Sequence, residues 1–245
     1  MTSYSNNDQK IVRRYDAGNI QMEETFLNGK RHGERKMWHP DGSLHLHDFH
    51  ENGKQHGPCM IWYPNGFLSS EENYRDGKRH GLQKSWYLNG MRECDRNYKN
   101  GKLDGTRFDW RRNGELDCIE SYRDGQKHGK RRSWYSDCQI QSQEWYKDGK
   151  LHGVRIYWYP TGRMWSYEMF MNGKLEGEHK TWKDDGSLGR SGYSIDNECV
   201  DENFGSTKRS GFLRIKRCLY FRICHKRYSH LKLLLINDLF GMIIK

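Results

Sequence analysis

Seven positions that recur at one fixed interval along the chain carry side chains of types that bind metals. They are His32, His56, His80, His128 and His152, together with Asp104 and Glu176. Shared zinc coordination requires ligand atoms about 2.0 to 2.2 Å from one ion. If each interval contributes two strands to a sheet, equivalent positions lie roughly 9.5 Å apart. We therefore predict no metal site, and we expect these side chains to cap or pack on a turn.

Other side chains with reactive chemistry show no catalytic pattern. The seven cysteines are odd in number and form no Cys-x-x-Cys pair, so we interpret them as reduced thiols. No G-x-S-x-G, P-loop or H-E-x-x-H motif is present. We predict a protein that is not an enzyme, with no cofactor and no small-molecule substrate.

The basic character of the chain is concentrated at its C-terminal end. Residues 199–245 hold ten Lys and Arg against three Asp and Glu, whereas the rest of the chain is near charge balance. Because the repeat array is near balance, nucleic acid is an unlikely partner, and the mixture of basic and aromatic residues in the tail suits contact with an anionic surface such as lipid. The residues predicted to make that contact are Arg214, Lys216, Arg217, Arg222, Lys226 and Arg227. For residues 229–244 the preferred interpretation is a short terminal helix that caps the open end of the sheet; anionic-surface contact, disorder and a frame-shifted end are the alternatives.

The elements that position these side chains are copies of one 24-residue repeat. Tryptophan recurs at Trp38, Trp62, Trp86, Trp110, Trp134, Trp158 and Trp182. Nine residues before each stands a glycine: Gly29, Gly53, Gly77, Gly101, Gly125, Gly149 and Gly173. Such a period indicates an array in which each unit buries its apolar surface against its neighbours.

Each repeat contains two turn signals thirteen residues apart. Asn-Gly and Asp-Gly pairs supply the positive φ of tight hairpin turns, and the two turns leave room for two strands of about six residues each. In the fifth copy Cys138 replaces the glycine of the second turn, so we expect an altered turn there. The predicted fold is all-β: an elongated, single-layer antiparallel sheet of stacked hairpins, open like a solenoid.

The tryptophans are predicted to form the structural spine of this sheet, and an aromatic residue at the end of the second strand is expected on the same face. We divide the chain into an N-terminal leading strand or cap at residues 1–25, seven repeats at 26–193 and a basic tail at 194–245. The N-terminus has no apolar stretch of signal-peptide length, and the longest apolar run in the tail is too short to span a bilayer. We expect a cytoplasmic protein.

The segment Asn28–Gly33, NGKRHG, followed by an aromatic strand and an Asp-Gly turn, resembles the MORN repeat. The 24-residue unit with Trp-Tyr-x-Asn-Gly is closest to the variant form of that repeat, which is common in bacterial and large-virus proteins. The resemblance covers residues 11 to about 193, although the Gly-x-Gly of the commonest MORN unit is missing. It implies a twisted sheet of hairpins and no catalytic residues in the repeats.

Three functions follow as expectations. The resemblance implies a scaffold that binds a protein partner or a second copy of itself, or association with anionic membrane lipid. Trp-Tyr-x-Asn-Gly also resembles the choline-binding repeats of cell-wall proteins, whose aromatic residues cage a cationic ligand. An array of aromatic residues that binds carbohydrate or choline is therefore the third expectation. It ranks last because the choline-binding family has a shorter period and a paired Gly-Trp.

Overall fold

The computed structural model describes residues 8–200, and this part of the chain consists of strands and turns. The twenty strands are β1 (Asp8–Arg14), β2 (Ile20–Leu27), β3 (Lys30–Trp38), β4 (Leu44–Glu51), β5 (Lys54–Trp62), β6 (Leu68–Arg75), β7 (Lys78–Arg79), β8 (Gly81–Trp86), β9 (Arg92–Lys99), β10 (Lys102–Leu103), β11 (Gly105–Trp110), β12 (Leu116–Arg123), β13 (Gln126–Trp134), β14 (Ile140–Lys147), β15 (Lys150–Leu151), β16 (Gly153–Trp158), β17 (Met164–Met171), β18 (Lys174–Trp182), β19 (Leu188–Ile195) and β20 (Glu198–Val200).

All pairings are antiparallel, and the strands follow one another across the sheet in chain order. In three repeats the first strand is split into a two-residue and a six-residue piece, and both pieces pair with the strand that precedes them. The result is one open meander, which confirms the predicted all-β sheet of stacked hairpins. The helical tail suggested by the sequence lies outside the described residues.

The first turn of each repeat is a two-residue hairpin turn. In the first copy, Asn28 and Gly29 have φ of 51° and 75°, and the other copies repeat this succession of two positive φ values. That geometry is the type I′ turn, whose twist matches the right-handed twist of the strands. The sequence prediction for this turn is confirmed, and Asp196 and Asn197 adopt the same geometry, so that β19 pairs with β20 beyond residue 193.

The second turn has a glycine in the left-handed region after a type I turn. Gly42, for example, has φ of 89° and donates its N–H to the His39 carbonyl at 2.9 Å. Cys138 keeps the same turn with φ of 63°, and its N–H lies 3.1 Å from the Tyr135 carbonyl oxygen. The expected alteration is therefore small: the hydrogen bond of the turn is slightly longer, and the Cys138 backbone adopts a left-handed conformation that is unfavourable for residues with a Cβ.

The His-Gly pair of each repeat forms a β-bulge in the first strand. Glu24 pairs with Arg35 and Phe26 with Arg31, so three residues on β3 face Thr25 alone. Gly33 takes φ of 86° inside this bulge. The bulge lets the first strand run on past the glycine, and the strands reach eight or nine residues where the sequence predicts about six.

Adjacent repeats are joined at both edges of the sheet. At the first turn, the glycine N–H donates to a carbonyl of the preceding repeat, as in Gly101 to Arg79 at 2.7 Å and Gly149 to Lys127 at 2.8 Å. At the other edge, the side chain that follows one tryptophan reaches the carbonyl of the next tryptophan. These hydrogen bonds tie each turn to its neighbour, so the loops belong to the same periodic array as the strands.

The two faces of the sheet differ in chemistry. Trp110 stacks on Phe108 with ring centroids 5.8 Å apart, and Phe108 alternates with Arg107 and Asp109, which point to the opposite face. Tyr122 lies on that opposite face, where its hydroxyl donates to Glu120 at 2.6 Å. The expectation that the tryptophans and the strand-closing aromatics share one face is wrong, because the pleat of the strands separates them.

Candidate functional site

A row of carboxylates runs across the face opposite the tryptophans. Its members recur every 24 residues, each ten residues after a position of the tryptophan series. We call them the carboxylate row: Glu24, Asp48, Glu72, Glu120, Glu144 and Glu168. Five of the six are buried, and Glu24 and Asp48 are only 2 % and 1 % exposed. A buried carboxylate requires charged or hydrogen-bonding partners to offset its lost hydration, so this face is held together by polar contacts.

Each member of the carboxylate row has a cation or a hydroxyl beside it. Arg35 bonds Asp48 through two nitrogens at 2.9 and 2.6 Å, and Arg155 contacts Glu168 at 2.6 Å. Arg79 and Gln83 reach Glu72 at 2.9 and 2.8 Å. The partners come from the strands on both sides, and the row therefore links successive repeats.

The densest part of this network of ion pairs and hydrogen bonds lies near Trp134, the fifth tryptophan of the series. Arg131 contacts Glu120 at 2.9 Å and Glu144 at 3.4 Å, so one guanidinium bridges two carboxylates. Lys127 adds a third cationic contact, to Glu120 at 2.8 Å. Burial opposes ionisation of Glu120, but hydrogen bonds from Lys127, Tyr122 and Arg131 and the charge of Lys127 outweigh it, and they lower its pKa to about 2.

The carboxylate row is interrupted once, at Arg96, where the period would place an acidic residue. Arg96 pairs with Gln83 on one side, and on the other side Phe108 pairs with Asp95. Continuing that register by one residue places Arg96 opposite Arg107. Both arginines line an open pocket of about 500 Å³, together with Tyr87, Glu93, Asp109, Trp110, Asp117, Cys118, Glu120, Tyr122, Lys127 and Arg131.

The seven predicted spine tryptophans lie at the ends of the first strands, and all of them are half-buried. Among residues 8–200, no ring contact joins two of the seven directly. Arg92 bridges one pair, with its guanidinium carbon 5.0 Å from the Trp86 ring centroid and 5.8 Å from that of Trp110. The ladder therefore depends on an intervening side chain, as the spacing of two strands predicts.

The backbone carbonyls of the tryptophans are the acceptors of the inter-repeat hydrogen bonds. Tyr87 donates its hydroxyl to the Trp110 carbonyl at 2.7 Å, and Tyr135 donates to the Trp158 carbonyl at the same distance. Tyr15, Tyr63 and Tyr159 repeat the contact, while His39 and Arg111 take the place of tyrosine in two repeats. The Tyr of the Trp-Tyr pair thus fixes each repeat to the next.

Part of the histidine register caps turns. The backbone N–H groups of Asp148 and Asn172 point at the Nδ1 atoms of His128 and His152, both at 3.4 Å. Asp104 accepts from the Asp124 N–H at 3.2 Å in the same position. Glu176 does the same for the Asp196 N–H at 3.0 Å, so four members of the register cap the first turn of the following repeat. Within residues 8–200, the Nδ1 atoms of His32, His56 and His80 have no hydrogen-bond partner, and no group of three metal-binding side chains comes together.

Exposed lysines form a line along the first-turn edge. We call Lys30, Lys54, Lys78, Lys102, Lys150 and Lys174 the lysine row. A Cβ placed on Gly101 would lie 3.7 Å from Lys78 Cβ, and Gly53 and Lys30 are related in the same way at 3.8 Å. Five of the six lysine stems pack over the turn glycine of the next repeat, and Lys174 faces a turn in which Asn197 replaces that glycine. The ammonium groups therefore form a periodic basic edge, which is interrupted at Gln126.

The second-turn edge carries a cluster of exposed apolar side chains. Phe67, Leu88 and Met91 are 52 %, 57 % and 48 % exposed, and we call them the apolar turn patch. Leu88 and Met91 flank Gly90, and a Cβ on Gly90 would lie 3.9 Å from the Phe67 ring. The three exposed side chains belong to two neighbouring turns at the same edge of the sheet.

The structure places the predicted residues of the array at regular positions. The turn glycines all have φ between 75° and 86°. The six basic residues predicted to contact an anionic surface, Arg214, Lys216, Arg217, Arg222, Lys226 and Arg227, lie outside the described residues. Sequence reasoning missed the carboxylate row and its break at Arg96, although both have the same 24-residue period as the tryptophans.

The fold and these surfaces define an open antiparallel repeat protein. Residues 31–47, 55–76 and 79–100 match the family described as the MORN repeat variant. Three consecutive units of the chain are therefore similar to variant MORN repeats. Comparison with curated proteins finds none that matches the chain. Repeats of this family are generally associated with protein or membrane interactions. Among residues 8–200, no helix combines the length and apolar character required to cross a bilayer.

Proposed function

We propose that this chain is a non-enzymatic scaffold whose repeat array binds another protein. The observation that supports this function is the apolar turn patch. Isolated apolar side chains are common on protein surfaces, whereas a contiguous apolar group with polar surroundings is typical of a contact surface. Phe67, Leu88 and Met91 together offer an aromatic ring, a branched chain and a flexible thioether, a combination that packs well against another protein surface.

The position of the patch supports the same function. It belongs to turns of consecutive repeats, and these turns are tied to the next repeat by side-chain hydrogen bonds. Asn65 donates to the Leu88 carbonyl at 3.0 Å, and Asn89 donates to the Arg112 carbonyl at 3.0 Å. The apolar side chains are therefore presented on an ordered edge, and a partner binds with a smaller loss of conformational entropy.

The test is cross-linking of the full chain in native lysate, with Leu88→Ser compared against Leu188→Ser. The two leucines are matched: Leu88 is 57 % exposed and Leu188 is 55 % exposed, but only Leu88 belongs to the apolar turn patch. We expect Leu88→Ser to lower the recovery of a specific partner by about tenfold, since a central apolar contact contributes roughly 1 to 2 kcal/mol. Leu188→Ser keeps the recovery of the wild type.

Equal loss in both variants, or no loss in either, argues against the patch as the contact surface. Light scattering of the purified chain separates the two kinds of partner. A dimer that dissociates in Leu88→Ser identifies a second copy of the chain, and a monomer in both proteins identifies a different one.

The lysine row supports a second candidate function, association with an anionic membrane. Its exposed ammonium groups repeat at about 9.5 Å, two strand spacings. Juxtaposed basic residues contribute about 1 kcal/mol each on an anionic bilayer surface. Among the row members in residues 8–200, Lys174 is held in an ion pair with Asp196 at 2.9 Å, while the other five make no ion pair.

Vesicle co-sedimentation tests this candidate with two opposite substitutions in the full chain. Gln126→Lys completes the row, and Lys78→Gln opens a second gap. We expect the first to strengthen and the second to weaken binding to vesicles that contain phosphatidylserine, each by about fivefold at low salt. Phosphatidylcholine vesicles serve as the control. Binding that is the same for both variants removes the lysine row from this role.

A further inference from the structure

Arg96 is a cation in a row of carboxylates. Glu72 and Glu120, its counterparts in the repeats on either side, each contact cations at 2.8 to 2.9 Å. In the described part of the chain, the Arg96 guanidinium forms neither an ion pair nor a side-chain hydrogen bond. This repeat therefore has an uncompensated positive charge where its neighbours have a neutralised negative one.

The strands around Arg96 do not supply the missing carboxylate. The neighbouring Arg107 is occupied by Asp109, at 2.8 Å. Asp95, next to Arg96 in sequence, points to the other face and bonds Arg92 at 2.5 Å. Glu120 is shared by Lys127 and Arg131. The nearby acidic groups thus have cationic partners of their own, with the exception of Glu93, which accepts from Ser85 at 2.9 Å.

We propose that the Arg96 pocket receives one carboxylate group from an Asp or Glu side chain of a protein partner. This proposal rests on the proposed protein-binding function and names the chemistry that the partner offers. A carboxylate of the partner would then occupy the pocket in place of the acidic side chain that the neighbouring repeats have at the position equivalent to Arg96. The planar guanidinium of Arg96 would bind both of its oxygens, as Arg35 binds both oxygens of Asp48 at 2.9 and 2.6 Å.

The charges of the pocket favour a carboxylate over a phosphate. Its lining contains four cations, Arg96, Arg107, Lys127 and Arg131, and four carboxylates, Glu93, Asp109, Asp117 and Glu120. The pocket as a whole is thus balanced; among its lining groups Glu93 and Arg96 make no ion pair within residues 8–200, so its unpaired cation is Arg96. A singly charged group matches it, whereas a phosphate dianion would be repelled by the surrounding carboxylates.

The open form of the pocket accommodates a side chain that comes from another molecule. Its volume is about 500 Å³, and Tyr87 and Tyr122 lie among its lining residues. The Tyr122 hydroxyl is already donated to Glu120, and that of Tyr87 to the Trp110 carbonyl. Arg96 therefore remains as the donor group without a partner in the pocket.

The test uses the full chain and the NMR signals of the arginine Nε–H groups. The probe is N-acetyl-glutamate amide, which has a single carboxylate; N-acetyl-glutamine amide is its neutral control, and inorganic phosphate is the competing anion. Arg96→Glu assigns the Arg96 signal and removes the site. Position 96 lies between Gln83 and Arg107, and the equivalent position in the neighbouring repeats is a glutamate. We therefore expect Arg96→Glu to remain folded. Arg75→Glu makes the same charge change at an exposed position outside the pocket.

We expect the glutamate derivative to shift the Arg96 signal saturably, at a concentration at least about fivefold below that required for phosphate. The glutamine derivative leaves the signal unchanged, and Arg75→Glu preserves the response. The proposal is overturned if the signal does not move, if phosphate binds more tightly, or if Arg75→Glu abolishes the shift.

Cross-linking of Arg96→Glu in lysate separates this proposal from the function on which it rests. Recovery of the same partner at the wild-type level shows that the scaffold function is right and that the carboxylate site is not used. Loss of that partner in Arg96→Glu, with recovery unchanged in Arg75→Glu, supports the site. A glutamate response in a chain that captures no protein would reject the proposed function and leave the Arg96 pocket without a protein ligand.

Discussion

Glu120 shows how a single side chain can stabilise a sheet that has little apolar core. It is buried, yet Lys127, Arg131 and Tyr122 all contact one or other of its oxygens. Replacing the hydration of this carboxylate by contacts within the protein is favourable only if every partner stays in place, because a buried charge that loses its partners costs several kcal/mol. The same burial that constrains Glu120 raises the pKa of the neighbouring Cys118 thiol to about 11.

Acid should weaken the fold through Glu120. The pKa of Glu120 is about 2 in the folded chain and near 4.5 in the unfolded chain. Ionised Glu120 therefore stabilises the fold fully above pH 4.5, and this stabilisation is lost as the pH falls towards 2. The stability gained in this way is on the order of 3 kcal/mol. We predict that Glu120→Gln loses about that much at pH 7 and has a flatter decline between pH 4.5 and 2, measured by urea unfolding at each pH.

Asp16→Asn is the matched control for the acid prediction, because Asp16 is exposed and belongs to no network in residues 8–200. Its profile should follow that of the wild type. A Glu120→Gln profile parallel to the wild-type profile throughout this pH range would show that Glu120 is not the group responsible.

At the scale of the element, the bulge after each histidine is fixed by its glycine. Gly129 has φ of 101°, and a Cβ there would lie 3.2 Å from Ser121 Cβ. Backbone conformation and the close Ser121 side chain both disfavour a side chain at this position. The open second turn differs: a Cβ on Gly42 would meet nothing within 4 Å, so only its φ of 89° favours glycine.

Gly129→Ala should therefore lower the free energy of unfolding by about 2 to 3 kcal/mol, the cost of a strained φ plus a close contact. In the same repeat, Cys138→Gly should raise it by about 0.5 to 1 kcal/mol, because it relieves a left-handed non-glycine residue. Thermal or urea unfolding measures both. Changes of the same sign in the two variants would contradict the assignment of strain to these two positions.

How far the sequence predicts these elements depends on what each residue type can signal. Asn28-Gly29 specifies a type I′ turn through backbone preference alone, and the structure has that turn. Glu24 has no such local signature: a carboxylate in a strand suggests an exposed position until the cations across the sheet are known. The bulge at Gly33 was hidden for a similar reason, since a glycine with positive φ occurs in turns and in bulges alike.

At the scale of the whole molecule, the described sheet is one-dimensional. Each strand pairs only with its neighbours in the chain, and the contacts that join repeats recur with the period of the tryptophans. Stability is then a sum of similar units and the interfaces between them. We therefore expect the array to tolerate the loss of a whole repeat but not of half a repeat, because the shorter deletion places the second strand of one repeat where the first strand of the next should lie.

We predict that deletion of residues 50–73, one full repeat, leaves a folded protein. It joins Phe49 to Tyr74, which takes the place of His50, and each strand again meets a partner of the proper kind. Far-UV circular dichroism should keep its β character per residue, and cooperative unfolding should persist. Deletion of residues 50–61, half a repeat, joins Phe49 to Trp62 and places a tryptophan where a strand-closing residue belongs. That shorter deletion should abolish cooperative unfolding, and equal stability of the two deletions would show that the 24-residue register does not determine the fold.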